Sequence, residues 1–246
     1  MSKRIGMPTP RVIAFDGDDT LWGNEDHFTV SQDRFRTIIS AHVRLDDAAL
    51  DKHLLETERR NLALYGYGVK SFVLSMIETA IALTSGAIPA NDIQVLLRLG
   101  QAMLAHPVEL LDGVGKTIEE LRRLGHEIWL ITKGDLFDQE SKIARSGLGA
   151  LFDRIEIVSE KNEVVYRRLL EQHGVAASDF VMVGNTLRSD VLPVVALGAR
   201  AVHIPYHVTW MHETVEPAVA GAGAFLTLTH MAELPAALQQ LASPFV

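Results

Sequence analysis

The chain has 246 residues, of which 48% are hydrophobic and 22% charged, so it can bury a sizeable core. Its 23 basic and 31 acidic side chains give a formal charge of −8, which disfavours nucleic acid as a partner. The absence of cysteine excludes disulfides, thiolate metal sites and cysteine nucleophiles. No apolar run reaches the roughly 18 residues that a membrane span needs. We expect a cytoplasmic protein that binds neither nucleic acid nor a membrane.

Short apolar runs that end in small or polar residues predict buried strands. They cover residues 12–15, 127–132, 179–185 and 199–205, and a further strand is predicted over residues 154–159. Apolar residues at helical spacing fill the gaps, as in the stretches after Gly115 and before His173. A stretch of small residues at 218–224 predicts a flexible surface loop. The alternation predicts an α/β fold, a doubly wound and mostly parallel sheet with helices on both faces.

One long segment, from about residue 28 to residue 106, breaks this alternation because its apolar residues keep helical spacing without a strand. Three apolar stripes predict helices around residues 35–39, 69–81 and 93–104. Connections in α/β proteins are usually short, so an excursion of this size favours a separate domain over a long connection packed on the sheet. We therefore predict an α-helical cap over residues 23–107. The α/β core would then consist of residues 1–22 and 108–246.

Polar side chains stand where the predicted strands end. In an open parallel sheet, ligands bind outside the carboxyl ends of the strands, so residues that follow different strands meet there. The residues in question are Asp16, Asp18, Thr132, Lys161, Asn185 and Asp190. This edge would therefore combine carboxylates, a carboxamide, a hydroxyl and an ammonium group.

The motifs that contain these residues resemble those of the haloacid dehalogenase-like hydrolase superfamily, and within it the phosphatase branch. The motifs are residues 16–21 in the pattern Asp-x-Asp-x-Thr, Thr132 after an apolar strand, Lys161, and residues 184–190. They occur in the order found in that superfamily, and with the helical insertion the resemblance covers residues 11–241. It implies a Rossmann-like core with a cap, and a hydrolase of small-molecule phosphate esters.

The resemblance and the demands of phosphoryl transfer together imply a role for each catalytic residue. Asp16 would be the nucleophile that forms an aspartyl-phosphate, which water then hydrolyses. Asp18 would give a proton to the departing alcohol and then take one from the attacking water. Thr132 would hold phosphoryl oxygens, and Lys161 would neutralise the charge shared by Asp16 and the phosphate.

Magnesium is the expected cofactor, because several carboxylates facing a phosphate dianion would otherwise repel it. The expected ligands are Asp16, the backbone carbonyl of Asp18, Asn185 and Asp190. Relatives in the superfamily commonly have aspartate at the position of Asn185. Asparagine still offers a carbonyl oxygen but removes one negative charge, which bears on the strength of metal binding. Asp19 stands where the superfamily usually has glycine, and we expect it to cap the turn.

Three other functions stay open at this point. A 2-haloacid dehalogenase would use Asp16 to attack carbon and release halide without a metal, but Asp18 would then have no evident role. A phosphate- or metabolite-binding protein that has lost turnover would account for Asn185. A phosphomutase would keep the same site and transfer the phosphate to a sugar. The natural substrate, the residues that select it and the oligomeric state are likewise open.

Overall fold

The computed structural model describes residues 10–208, 211–213 and 225–241. The predicted loop at residues 218–224 lies outside these described residues. The chain divides into an α/β unit and a helical unit. The α/β unit comprises Met1–Gly23, Val108–Lys133 and Lys142–Val246, and the helical unit comprises Asn24–Pro107 and Gly134–Ser141.

The α/β unit contains a parallel sheet, which has six strands within the described ranges. They are β1 (Val12–Phe15), β2 (Glu127–Lys133), β3 (Arg154–Val158), β4 (Phe180–Gly184), β5 (Arg200–His203) and β6 (Phe225–Thr227). Their order is β3-β2-β1-β4-β5-β6, so the strand order reverses between β1 and β4. This arrangement confirms the predicted doubly wound α/β fold. The three-residue β6 was not predicted, because so short a run carries no readable period.

Helices connect the strands and form the helical unit. They are α1 (Glu25–Ser40), α2 (Asp47–Tyr65), α3 (Val69–Leu83), α4 (Ala90–Ala105), α5 (Val114–Arg123), α6 (Leu136–Ser146), α7 (Glu163–Gln172), α8 (Leu192–Ala196) and α9 (Leu234–Leu241). Within the described part of the chain, no helix is long and apolar enough to cross a membrane.

Alternation along β1 explains why both faces of the sheet are covered. Ile13 and Phe15 belong to one apolar cluster, which includes Ile118 of α5. Val12 and Ala14 belong to the opposite cluster, which includes residues of α7. Since successive strand residues point to opposite faces, a strand with no polar position requires two covering layers.

The helical unit packs α1 to α4 around its own apolar cluster. Helix α2 was not predicted, because the side chains that it buries are mixed: Leu50 and Leu54 are apolar, whereas Thr57 and Asn61 are polar. Such a helix has only a weak apolar stripe for sequence reasoning to detect. Its start carries a local signal, since the Asp46 carboxylate accepts a hydrogen bond from the backbone N–H of Ala49 at 2.8 Å.

Candidate active site

Strand register places the predicted residues at one edge of the sheet. Phe15, the last residue of β1, pairs with Leu130 on one side and Val183 on the other. The next residue, Asp16, donates its backbone N–H to the carbonyl of Val183 at 2.9 Å. Asp16 therefore leaves the sheet at the carboxyl ends of β1, β2 and β4, where a ligand site is expected.

Lys161 connects two buried carboxylates of the site, Asp16 and Asp190. Its ammonium group forms an ion pair with Asp16 Oδ1 and lies 2.8 Å from Asp190 Oδ1. Asp190 is only 1% exposed, and its other oxygen accepts hydrogen bonds from the backbone N–H and the hydroxyl of Thr186, both at 3.0 Å. The buried ammonium group of Lys161 thus forms ion pairs with two buried carboxylates.

This charge arrangement perturbs both partners. Burial raises the pKa of Asp16 to about 7, against the charge of Lys161, which lowers it, and Asp190 adds to the rise. Burial lowers the pKa of Lys161, but Asp16 and Asp190 outweigh this effect and hold it above its usual range. Strongly perturbed groups of this kind are typical of functional sites.

Asn185 and Asp16 each direct a side-chain oxygen towards the hydroxyl of Thr20. The hydroxyl of Thr20 lies 3.3 Å from Asp16 Oδ2 and 3.3 Å from Asn185 Oδ1, so both oxygens are directed towards it. Within the described ranges, no three His, Asp or Glu side chains form a metal-binding group. The donors at this edge are instead two carboxylates and a carboxamide oxygen. One ammonium faces two carboxylates here, so a further cation fits the charge of the site, and donors that are all oxygen fit a hard cation such as Mg²⁺ rather than a soft one.

Asp18 lies within the electrostatic range of Asp16 and contributes to its raised pKa. Its carboxylate has two strong partners: Lys142 Nζ lies 3.0 Å from each oxygen, and Trp22 Nε1 donates to Oδ1 at 2.7 Å. The second acid predicted from the sequence is therefore next to the first, but a lysine of α6 holds it. Lys142 was not predicted.

Two glycines allow the motifs to approach each other. A β-carbon added to Gly17 would lie 3.2 Å from Thr132 Oγ1, so the Thr132 hydroxyl is in close contact with the Asp16–Asp18 turn. A β-carbon added to Gly184 would lie 2.3 Å from Asp190 Cγ, which is far closer than real atoms approach. Neither glycine has a positive φ, so space alone requires them.

Asp19 is buried and has a φ of +60°, in the left-handed region. Glycine is the usual residue for this conformation, and aspartate is among the few others that tolerate it. Its backbone N–H donates to the carbonyl of Trp22 at 2.7 Å, which closes the turn after β1. Aspartate, in place of the glycine that the superfamily usually has here, therefore fits the conformation of this turn.

A second polar network lies beside the first and was not predicted. Lys133, the last residue of β2, forms an ion pair with Glu213 and donates to Ser189 Oγ at 3.1 Å. Ser189 in turn donates to Glu213 Oε2 at 2.6 Å, and it sits in the π-helical turn Leu187–Val191 that also contains Asp190. Lys133 could have been found because it follows Thr132 directly. Glu213 could not, because no motif surrounds it.

Residues 10–198 match the family described as haloacid dehalogenase-like hydrolase. The chain is 25% identical over 202 residues to a glyceraldehyde 3-phosphate phosphatase of Methanocaldococcus jannaschii, covering 78% of this chain and 83% of that one. It is 28% identical over 138 residues to a mouse (Mus musculus) N-acylneuraminate-9-phosphatase, covering 54% and 53% of the two chains. The crystal structure of a haloacid dehalogenase-like family hydrolase from Xanthomonas campestris is similar to it, with a TM-score of 0.84, 42% identity and coverage of 95% and 92%.

Proposed function

Because this chain belongs to the haloacid dehalogenase-like hydrolase family, we propose that it is a magnesium-dependent phosphatase of small phosphorylated metabolites. The observation that carries this proposal is a second carboxylate, Asp18, beside a first one, Asp16, that contacts a buried lysine. Phosphoryl transfer to a carboxylate needs a nucleophile, a proton donor and positive charge for the phosphoryl oxygens. Asp16, Asp18 and Lys161 have the chemistry for these three tasks.

In the first step, an oxygen of Asp16 attacks phosphorus and the bond between phosphorus and the ester oxygen breaks. Asp18 gives its proton to that oxygen, so that the alcohol departs neutral. Thr132 and backbone N–H groups of the turn after β1 hold the phosphoryl oxygens, and Lys161 compensates their charge.

In the second step, water attacks the phosphorus of the aspartyl-phosphate and Asp18 takes one of its protons. Asp16 leaves as a carboxylate, and inorganic phosphate is the product. The proton that Asp18 accepts replaces the one that it gave to the alcohol, so the two steps close a cycle.

Asp16, the backbone carbonyl of Asp18, Asn185 and Asp190 would hold Mg²⁺. When bound, the ion would supply positive charge for the phosphoryl oxygens between these carboxylates. The neutral Asn185 leaves this set with one carboxylate fewer than the superfamily commonly has. We therefore expect this enzyme to need more magnesium than a variant with aspartate at residue 185.

Two of the relatives bear on the substrate. The archaeal and the mouse relative are both named as phosphatases of small phosphorylated molecules. We propose a substrate of the same kind here, with the helical unit as the cap that selects it. A 2-haloacid dehalogenase is the less favoured alternative, because it would leave Asp18 and its lysine partner without a role.

The test is phosphate release from a panel of small phosphate esters, including glyceraldehyde 3-phosphate and an aryl phosphate. Each ester is assayed with magnesium, with a chelator, and with the Asp16→Asn variant. The proposal predicts release that requires magnesium and disappears in the variant, because a carboxamide has nearly the same shape but is a poor nucleophile. Halide release from a 2-haloacid, or ligand binding without turnover, would contradict it. Transfer of phosphate to an added sugar phosphate instead of water would indicate a mutase.

A further inference from the structure

The carboxylate of Asp18 is held from two sides by groups outside the sequence motifs. Lys142 Nζ lies 3.0 Å from both of its oxygens, and the indole N–H of Trp22 donates to one of them at 2.7 Å. We propose that Lys142 is a positioning residue for Asp18. It fixes the orientation from which Asp18 exchanges protons with the leaving group and with water. The inference rests on the proposed function and adds a residue to its mechanism.

The arrangement around Asp18 is rigid. Trp22 is 1% exposed, and its backbone forms bridges both to Asp18 and to Leu110. Its ring also lies against Gly17, where an added β-carbon would be 2.9 Å from Trp22 Cζ2. The indole therefore cannot turn away from Asp18 without repacking its surroundings.

The lysine approaches from a helix that is anchored in the core. Ile143, which follows Lys142 on α6, belongs to the apolar cluster on one face of the sheet. The side chains of Lys142 and Asp18 are 12% and 22% exposed, so water screens this pair only in part. A partly buried contact of an ammonium with both carboxylate oxygens restricts rotation of the carboxylate more than a surface ion pair does.

A fixed orientation of Asp18 suits both halves of the proposed cycle. In the first step its O–H bond breaks as the proton passes to the ester oxygen, and in the second step the same carboxylate accepts a proton from the attacking water. Lys142 Nζ lies 3.0 Å from both carboxylate oxygens and restricts their rotation throughout. Lys142 itself neither gains nor loses a proton in this scheme.

The test compares two substrates that differ in their need for a proton. An alkyl phosphate has a leaving group that must be protonated, whereas 4-nitrophenolate departs readily as the anion. The value of kcat/KM reports the steps up to departure of the leaving group. The ratio of kcat/KM for the alkyl ester to that for the aryl ester therefore measures how much proton donation by Asp18 accelerates this departure. We expect Lys142→Met to lower this ratio about tenfold, part of the roughly hundredfold or larger effect of a general acid.

Control variants separate positioning from general damage. Lys116→Met makes the same replacement at an exposed lysine on α5 in the same unit and should leave the ratio unchanged. Lys142→Gln replaces the ammonium group by a neutral amide on a shorter side chain, so it should also lower the ratio. It serves as a second variant if Lys142→Met is unstable. In an Asp18→Asn background, Lys142→Met should change the ratio no further, because its effect passes through Asp18.

The outcomes separate this inference from the function on which it rests. Equal losses on both esters in Lys142→Met and Lys142→Gln, or the same loss of ratio in the Asp18→Asn background, would overturn the positioning role of Lys142. Absence of phosphate release by the unmodified enzyme, or full activity of Asp16→Asn, would instead overturn the proposed function. A lowered ratio that depends on Asp18 supports both.

Discussion

Replacing Gly184 by alanine tests the geometry of the site most sharply, because one added methyl group meets a single functional side chain. The new β-carbon would lie 2.3 Å from Asp190 Cγ and Oδ2, about 1 Å short of the 3.4 Å at which ordinary contact begins. Asp190 must therefore move, and its hydrogen bonds from the backbone N–H and hydroxyl of Thr186 must lengthen or break. Overpacking together with the weakening of two charge-assisted hydrogen bonds predicts a loss of about 3 kcal/mol in the free energy of unfolding.

The effect on catalysis should exceed the effect expected from stability alone. A displacement of roughly 1 Å at a charged group of the site is expected to lower kcat/KM by about a hundredfold. Urea unfolding and phosphate release measure the two quantities on the same protein. Gly115→Ala is the matched control, since a β-carbon at that position meets no atom within 4 Å. A Gly184→Ala protein with the stability and activity of the Gly115→Ala protein would refute the close contact between Gly184 and Asp190.

Two further predictions concern ion pairs outside the catalytic set. Lys133→Met should lower the free energy of unfolding by about 2 kcal/mol, because it leaves the buried Glu213 carboxylate without its lysine. Glu213→Leu should lower it less, because the partly buried Lys133 keeps Glu160 Oε1 at 3.4 Å. The double variant should lose at least about 1 kcal/mol less than the summed single losses, and strict additivity in urea unfolding would contradict the pairing. The second prediction concerns Glu78, whose pKa is lowered by a hydrogen bond from Asn61 despite an opposing effect of burial. The ionised Glu78 therefore stabilises the fold at pH values above 4.5, the ordinary pKa of this group. This contribution disappears as the pH falls through the lowered pKa. Because Glu78 is 48% exposed, Glu78→Gln should lose less than about 1 kcal/mol at pH 7, and this loss should shrink as the pH falls below 4.5. A loss that grows as the pH falls would contradict this sign.

Sequence reasoning found the residues whose positions depend on strand ends. Asp16, Thr132 and Asn185 each follow or close a short buried strand, and parallel pairing brings such positions together whatever the rest of the chain does. The contact of Lys161 with both Asp16 and Asp190 agrees with the expectation that these motifs converge. The local spacing within each motif, combined with one topological rule, was sufficient for this part of the site.

The residues that sequence reasoning missed depend on packing between distant elements. Lys142 reaches Asp18 only because α6 lies at a particular rotation against the sheet. A short motif such as residues 16–21 does not determine the rotation of a distant helix. Glu213 reaches Lys133 from a turn 80 residues further along the chain. Residues 134–141 belong to the helical unit, although they follow β2 directly. In each case tertiary contacts decide the position, so no local period could predict it.

The measurement that tests the central claim most directly is the mass of the protein after rapid mixing with a substrate and quenching in acid. If Asp16 is the nucleophile, a fraction of the enzyme carries the added mass of one phosphoryl group, and fragmentation places this group on Asp16. The Asp16→Asn variant, treated in the same way, should carry none. A phosphoryl group on another residue, or hydrolysis at full rate by the Asp16→Asn protein, would contradict the account.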